Sequence, residues 1–372
     1  MDLPVERGRP HRIGVPRPGQ VPFVPIRPGR VAAALAGLYH RAVSPTSHTR
    51  ILTIPAFVDD LRAAVARAGV AATVRGVEPA EHAGVADALA RTDIFVTGEF
   101  RSGWLTDGTG PLRLIQSPGA GTDGIDLSAL PDGVTVCNVY GHEYAIAEHV
   151  FMVMAALNRE LVAADTALRA GLWSHGRPLR ELRGRTICIV GLGRIGRELA
   201  RWAGFYGMRA TGVTRTPGGS SVAGLGLAAL GGLADLPRIA ADADFLVNAL
   251  PLTTETAGLI GAGVLAGLPR GACLVNVGRG PVVDEVALYE SLRDGRLAGA
   301  AIDVWYRYPE RDGQVIYPAD RPFHELSNVI LTPHQAGYTE GTMRHRWQAI
   351  AENIRRLGAG EPLANVVWPK AT

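Results

Sequence analysis

TICIVGLGRIGRELARWA, residues 186 to 203, joins a short apolar β-type run directly to a G-x-G-x-x-G turn and then to a helical pattern. Gly191, Gly193 and Gly196 stand where a dinucleotide's pyrophosphate must approach bare backbone at a helix N-terminus, so the stretch predicts a nucleotide cofactor. Glycines in that spacing are weak evidence alone. Here the preceding strand and following helix supply the context that the binding mode requires, against the alternative of a ligand-free glycine turn.

Working outward, the chain alternates strand and helix on both sides of that turn. Before it come ILTIPAF (51 to 57), a helix over Asp59 to Ala68, a strand near Asp93 to Thr97, and LRLIQ (112 to 116) ahead of the glycine turn at Gly119 to Gly121. After the cofactor strand come MRATGVT, DFLVNALPL, ACLVNVG, AGAAIDVW and NVILTPH (208 to 214, 244 to 252, 272 to 278, 298 to 305 and 328 to 334). Such alternation predicts parallel βαβ units, and six strands from Thr186 onward make a doubly wound nucleotide-binding domain. Tyr144 to Leu161 is apolar on nearly every face, which predicts a helix buried between domains or subunits. The fold class is α/β.

Residues 1–49 differ from the rest, with Pro4, Pro10, Pro16, Pro18, Pro22, Pro25 and Pro28 interleaved with arginines and glycines. Such backbone sustains neither a helix nor a central strand, apart from a helical patch at Val31 to Ala42. A flexible arm, a strap across a partner subunit and a start-codon artefact are all compatible with it. No apolar run reaches signal-peptide or membrane-span length, which leads us to expect a cytoplasmic protein. The 38 basic and 35 acidic side chains nearly cancel, so the balance implies neither a nucleic-acid nor a membrane partner. Cys137, Cys188 and Cys273 lie in apolar runs without metal-ligand spacing and are expected as reduced core residues; no metal is expected.

Ligands of open α/β sheets bind beyond the carboxyl ends of the strands, where this chain places Arg279, Asp303 and His334. A guanidinium can grip a carboxylate in two places and polarise the adjacent carbonyl. An imidazole gives or takes a proton near neutral pH. With a nicotinamide, these groups suffice for hydride transfer to a 2-oxo acid: Arg279 orients it and His334 protonates the new alcohol oxygen. Each also has an ordinary reading, as a surface ion pair, a strand-end cap and a turn histidine.

GAGTDGIDL (119 to 127), AIAEH (145 to 149), GLGRIG, LPLTTET (250 to 256), LVNVGRGPVVDE (274 to 285), GRLAGAAIDVW (295 to 305) and LTPH (331 to 334) together resemble the D-isomer-specific 2-hydroxyacid dehydrogenase family, in that family's order. The resemblance implies two Rossmann-like domains. The substrate domain, 50–142 completed by 334–372, is discontinuous, with the NAD(P)-binding domain inserted at 143–333. It also implies a homodimer, Arg279 and His334 as the catalytic pair, and backbone N–H groups of Thr97, Gly98, Glu99 and Phe100 on the substrate carboxylate. The cofactor would meet Gly191, Gly193, Arg194, Ile195, Gly196, Thr214, Arg215, Leu250, Pro251, Thr256 and Val277, with Asp303 on the nicotinamide carboxamide.

Two positions refine that expectation. The family places a glutamate five residues after the aspartate of its DV pair, where its charge favours the protonated histidine; here Tyr308 stands there, with Glu310 a substitute two residues on. Formate dehydrogenases resemble this pattern in lacking the glutamate, but carry asparagine where this chain has His142, which argues against formate oxidation. At the end of the second nucleotide-domain strand, an acid would bind the ribose 2′-hydroxyl of NAD; Thr214 and Arg215 there favour NADP. Some relatives are dinucleotide-sensing co-repressors, an alternative to catalysis. The substrate side group is not legible: glyoxylate, hydroxypyruvate and larger or phosphonate-bearing 2-oxo acids share the groups that Arg279 would read.

Overall fold

The structure, a computed structural model, describes residues 48–79, 82–105, 110–173, 176–309 and 313–369. The Pro/Arg-rich segment before His48, its helical patch at 31–42, and Glu310 lie outside the described residues.

The strands are β1 (Thr49–Thr53), β2 (Ala72–Gly76), β3 (Ile94–Val96), β4 (Leu114–Gln116), β5 (Thr135–Cys137), β6 (Thr186–Val190), β7 (Arg209–Val213), β8 (Ala229–Gly231), β9 (Phe245–Asn248), β10 (Cys273–Asn276), β11 (Gly299–Ile302), β12 (Val329–Leu331) and β13 (Val366–Trp368). They form two sheets. One runs β13-β5-β4-β3-β1-β2, the other β12-β11-β10-β9-β6-β7-β8. Every pairing is parallel except β13 on β5, so the chain starts the first sheet, builds the second and returns to close the first. In the second sheet the order reverses between β6 and β9, and in the first between β1 and β3. Crevices open at such reversals, which sets both candidate ligand regions at strand C-termini.

Most sequence-derived elements are present, with differences of physical origin. The ILTIPAF strand ends at Thr53, because Pro55 lacks an N–H for the ladder and starts a 3-10 turn at Pro55–Phe57. The nucleotide sheet gains β8 as a seventh strand. The long apolar helix spans Glu143–Asn158 and stops before Glu160, whose left-handed φ of 48° separates it from a second helix, Leu161–Arg169. Its inner face, with Ala147, Val150, Phe151 and Met154, packs into the core beneath β6, β9 and β10. Tyr144 and Met152 are exposed, so burial is confined to one side. The three cysteines are free and buried, and burial pushes the Cys137 thiol up to about 12 and those of Cys188 and Cys273 to about 11. Among the described residues, no helix is long and apolar enough to cross a membrane.

Candidate active site

At the mouth of β6 the three glycines have three different reasons. Gly191 adopts a φ of 106°, and a Cβ there would press on the Ala249 carbonyl carbon at 3.0 Å. A Cβ on Gly196 would overlap the Gly191 carbonyl oxygen, so this glycine lets the Arg194–Phe205 helix pack against the turn. Gly193, by contrast, has nothing within 4 Å of a Cβ position. That open space adjoins the helix start, where the N–H groups of Gly193, Arg194 and Ile195 have no protein acceptor among the described residues. A bare, positive helix end beside empty volume fits a dinucleotide pyrophosphate. The Arg194 side chain turns away, stacking over Tyr140 at 4.1 Å with its head 4.0 Å from Glu143. Thr214, whose N–H donates to Gly231, and exposed Arg215 follow β7 beside this turn.

Of the remaining expected cofactor residues, Leu250 and Val277 are buried in the core on either side of the sheet. The Thr256 hydroxyl is engaged internally: it donates to the Pro251 carbonyl at 2.7 Å and accepts from the Thr253 N–H at 2.8 Å. Thr256 therefore staples the 251–257 loop, which limits what its hydroxyl can offer a ligand.

Arg279 is set by a buried amide pair that sequence reasoning missed. Asn248 and Asn276 sit in register at the ends of β9 and β10, 0% and 1% exposed. The Asn248 amide donates to Asn276 at 2.9 Å, and the Asn276 amide donates to the Arg279 carbonyl at 3.3 Å. Buried amides without partners are costly, so this mutual satisfaction pins the turn carrying Arg279. The Arg279 guanidinium then reaches across to the first lobe: Nε and Nη2 donate to Asp123 at 3.2 and 3.0 Å, while Nη1 donates to the Gly278 carbonyl at 2.9 Å. One N–H remains on each terminal nitrogen for a ligand. A Cβ on Gly121 would overlap this guanidinium, so the glycine turn at 119–121 exists to admit it. Burial works to raise the Asp123 pKa, but the hydrogen bond and charge of Arg279 outweigh it and hold the carboxylate below its usual range.

His334 follows β12 with a left-handed φ of 56°, a conformation that needs external support in a non-glycine residue. Asp303, 2% exposed, provides it. Its carboxylate accepts from the Thr332 hydroxyl at 2.6 Å and the N–H groups of Gln335 and Ala336 at 2.9 and 3.0 Å, clasping the histidine's loop on both sides. Solvent reaches the His334 ring, yet protein crowding around it lowers its pKa below the ordinary 6.5; Arg279 and Arg346 push the same way, and Asp303 and Asp123 oppose them. Tyr308 is the ring neighbour, with centroids 5.5 Å apart at 49°, and its oxygen accepts the Trp305 N–H at 3.2 Å. An aromatic ring thus stands beside the histidine at the expected position.

The loop after β3 offers less than expected. The Thr97 N–H donates to the Gln116 carbonyl, the Phe100 N–H to the Gly124 carbonyl, and the Glu99 N–H to the Thr97 hydroxyl at 3.2 Å. Among the described residues, the Gly98 N–H alone of the four has no protein acceptor, because the other three close the turn itself. His142 leads into the Glu143–Asn158 helix; burial lowers its pKa, aided by Arg346, Arg279 and Arg194 and opposed by Glu143. Asp123, Asn248, Asn276 and Arg346 carried no strong local signal, although Asp123 lies within a quoted motif and both asparagines end apolar strand runs.

The family model described as "D-isomer specific 2-hydroxyacid dehydrogenase, NAD binding domain" matches residues 151–336. The chain belongs to this family. Among its relatives, this dehydrogenase-family chain is 33% identical over 265 residues to the glycerate dehydrogenase of Methylorubrum extorquens, covering 69% of the present chain and 79% of that protein. It is 33% identical over 259 residues to the D-3-phosphoglycerate dehydrogenase of Archaeoglobus fulgidus, covering 69% of this chain but only 47% of that longer one. The solved NADPH-dependent glyoxylate/hydroxypyruvate reductase of Sinorhizobium meliloti, in complex with NADP and malonate, superposes with a TM-score of 0.73 at 27% identity, over 88% of this chain and 100% of its own. These findings support oxidoreductase chemistry on 2-hydroxy and 2-oxo acids with a nicotinamide cofactor.

Proposed function

We propose that this chain reduces a small 2-oxo acid to its D-2-hydroxy acid, with Arg279 and His334 as the catalytic pair. The observation that carries the reading is their placement: both follow strands of the nucleotide sheet, with Asp123 holding the Arg279 fork and Asp303 clasping the His334 loop. Arg279 retains N–H donors for the substrate carboxylate and carbonyl oxygen, and Gly98 N–H supplies a further carboxylate contact from the facing lobe. The nicotinamide, when bound, supplies the hydride, which adds to the carbonyl carbon. His334, as the imidazolium, gives a ring proton to the oxygen as negative charge develops there and is left neutral, and Arg279 stabilises that charge. The carboxylate of an arriving substrate opposes the cationic field of Arg279 and Arg346, so substrate binding itself favours the protonated histidine that the reduction needs. Asp303 positions His334, with lone-pair capacity left for the carboxamide.

Thr214 and Arg215 support NADP as the preferred cofactor, since Arg215 is exposed and without a protein partner among the described residues. The exposed apolar side chains Tyr144, Met152, Leu161, Val162, Leu168 and Phe205 on the nucleotide lobe support a homodimer. Turnover is tested by following loss of NADPH absorbance across a panel of 2-oxo acids. Tight cofactor binding without turnover of any of them would favour a sensing role instead.

A further inference from the structure

The Glu340–Ala359 helix packs on the substrate lobe through Trp347, Ile350, Ala351 and Ile354. Its second turn lies against residues 141 and 142. A Cβ on Gly141 would overlap the His345 ring, and one on Gly337 would touch the His142 Cβ at 3.5 Å, so residues 337–346 and 141–142 are interlocked. Arg346, the next residue, is half-buried there. Among the described residues it has no ion pair and no hydrogen bond. A half-buried guanidinium without a carboxylate keeps its charge only partly solvated, so an anion arriving beside it gains from the contact. Burial lowers its pKa, and only the Tyr338 phenol opposes this. Its charge nevertheless reaches both His142 and His334, as does that of Arg279. Two guanidiniums therefore bear on the same two imidazoles, whose loops meet where Gly337 packs on His142. Arg279 is matched by Asp123; among the described residues Arg346 is matched by no carboxylate.

We propose that Arg346 is a specificity residue that grips a second acidic group, carboxylate or phosphonate, on the side chain of the 2-oxo acid, so that the preferred substrates are dianions. This rests on the function proposed above, in which Arg279 reads the carboxylate next to the reacting carbonyl. The half-buried cation is then matched by the ligand, and a neutral side chain in the same place displaces its water without replacing the charge partner.

The test is steady-state kinetics of the full chain with NADPH on matched pairs: 2-oxobutyrate against 2-oxosuccinate, and pyruvate against 3-phosphonopyruvate. Wild type should favour each dianion over its partner. In Arg346→Leu the dianion-to-monoanion ratio of kcat/KM should fall about ten- to hundredfold, mostly through KM, as expected for losing one charge-assisted contact. Arg346→Lys should restore part of the ratio, and Arg346→Gln serves if the leucine variant does not fold. Equal use of the pair members by wild type, or a ratio unmoved by Arg346→Leu, would overturn the proposal. Calorimetric titration of succinate and butyrate into the enzyme with NADP separates the two readings. Succinate preference lost on replacing Arg346 supports the dianion site even if no 2-oxo acid turns over, in which case the reductase reading alone has failed. The 2-oxosuccinate and phosphonate arms distinguish the two acidic groups.

Discussion

Replacing Asp303 by asparagine isolates what the buried carboxylate does for His334. The side chain keeps its shape, and its oxygen can still accept from the Thr332 hydroxyl and the Gln335 N–H. The new NH2 then faces the Ala336 N–H, which loses its acceptor at 3.0 Å and meets another donor instead. Leaving one buried donor unpaired costs about 1–3 kcal/mol, and weakening two charge-assisted bonds to neutral ones costs about 1 kcal/mol each. The expected destabilisation is about 3–5 kcal/mol, measured as a lower urea midpoint at unchanged slope. The same change removes the leading charge that favours protonated His334. Because reduction needs the imidazolium, the alkaline limb of the reductive kcat/KM profile should move to lower pH than in wild type. Wild-type stability together with an unmoved limb in the asparagine variant would refute the clasp.

Three further changes probe the site. Tyr308→Glu places a carboxylate beside a ring now 5.5 Å from Tyr308, so the alkaline limb, which in wild type should lie below the ordinary histidine value of 6.5, should move upward; an active variant with an unchanged profile would show that the two side chains do not communicate. Arg279→Lys should lower kcat/KM by on the order of 3 kcal/mol in transition-state stabilisation, because an ammonium cannot hold Asp123 bidentately and still face the substrate; near-wild-type kinetics would remove Arg279 from its assigned role. Replacing Thr214 by Asp and Arg215 by Leu should turn a preference for NADPH into one for NADH, compared as kcat/KM with each cofactor; wild-type preference for NADH would overturn the assignment.

The nucleotide lobe was legible because local physics encodes it. Gly191 to Gly196 can only be a tight strand-to-helix turn, and the apolar runs ending in Arg279, Asp303 and His334 place polar groups at strand mouths without any knowledge of tertiary contacts. The short β8 and β13, Ala229–Gly231 and Val366–Trp368, were not legible, since three residues carry too little pattern and their pairing is decided by neighbours far away in sequence. The site's supports were hidden for a related reason. Asn248 and Asn276 look like ordinary strand residues until parallel register sets them side by side. Asp123 meets Arg279 only when the two lobes come together, so neither partner is visible from its own segment. Asp303 was read as a ligand contact, and its three hydrogen bonds to the His334 loop emerge only from the folded geometry.

In the proposed function, Arg279 and His334 serve hydride transfer to a 2-oxo acid. The most direct measurement supplies cofactor deuterated at the transferring carbon together with a 2-oxo acid, and analyses the product by mass and by chiral chromatography for wild type and His334→Ala. The expected result is one deuterium on the carbon bearing the hydroxyl, D configuration, and loss of most product in the alanine variant while cofactor binding persists. Product of L configuration, a hydroxyl carbon without the label, or full product formation without His334 would contradict the account.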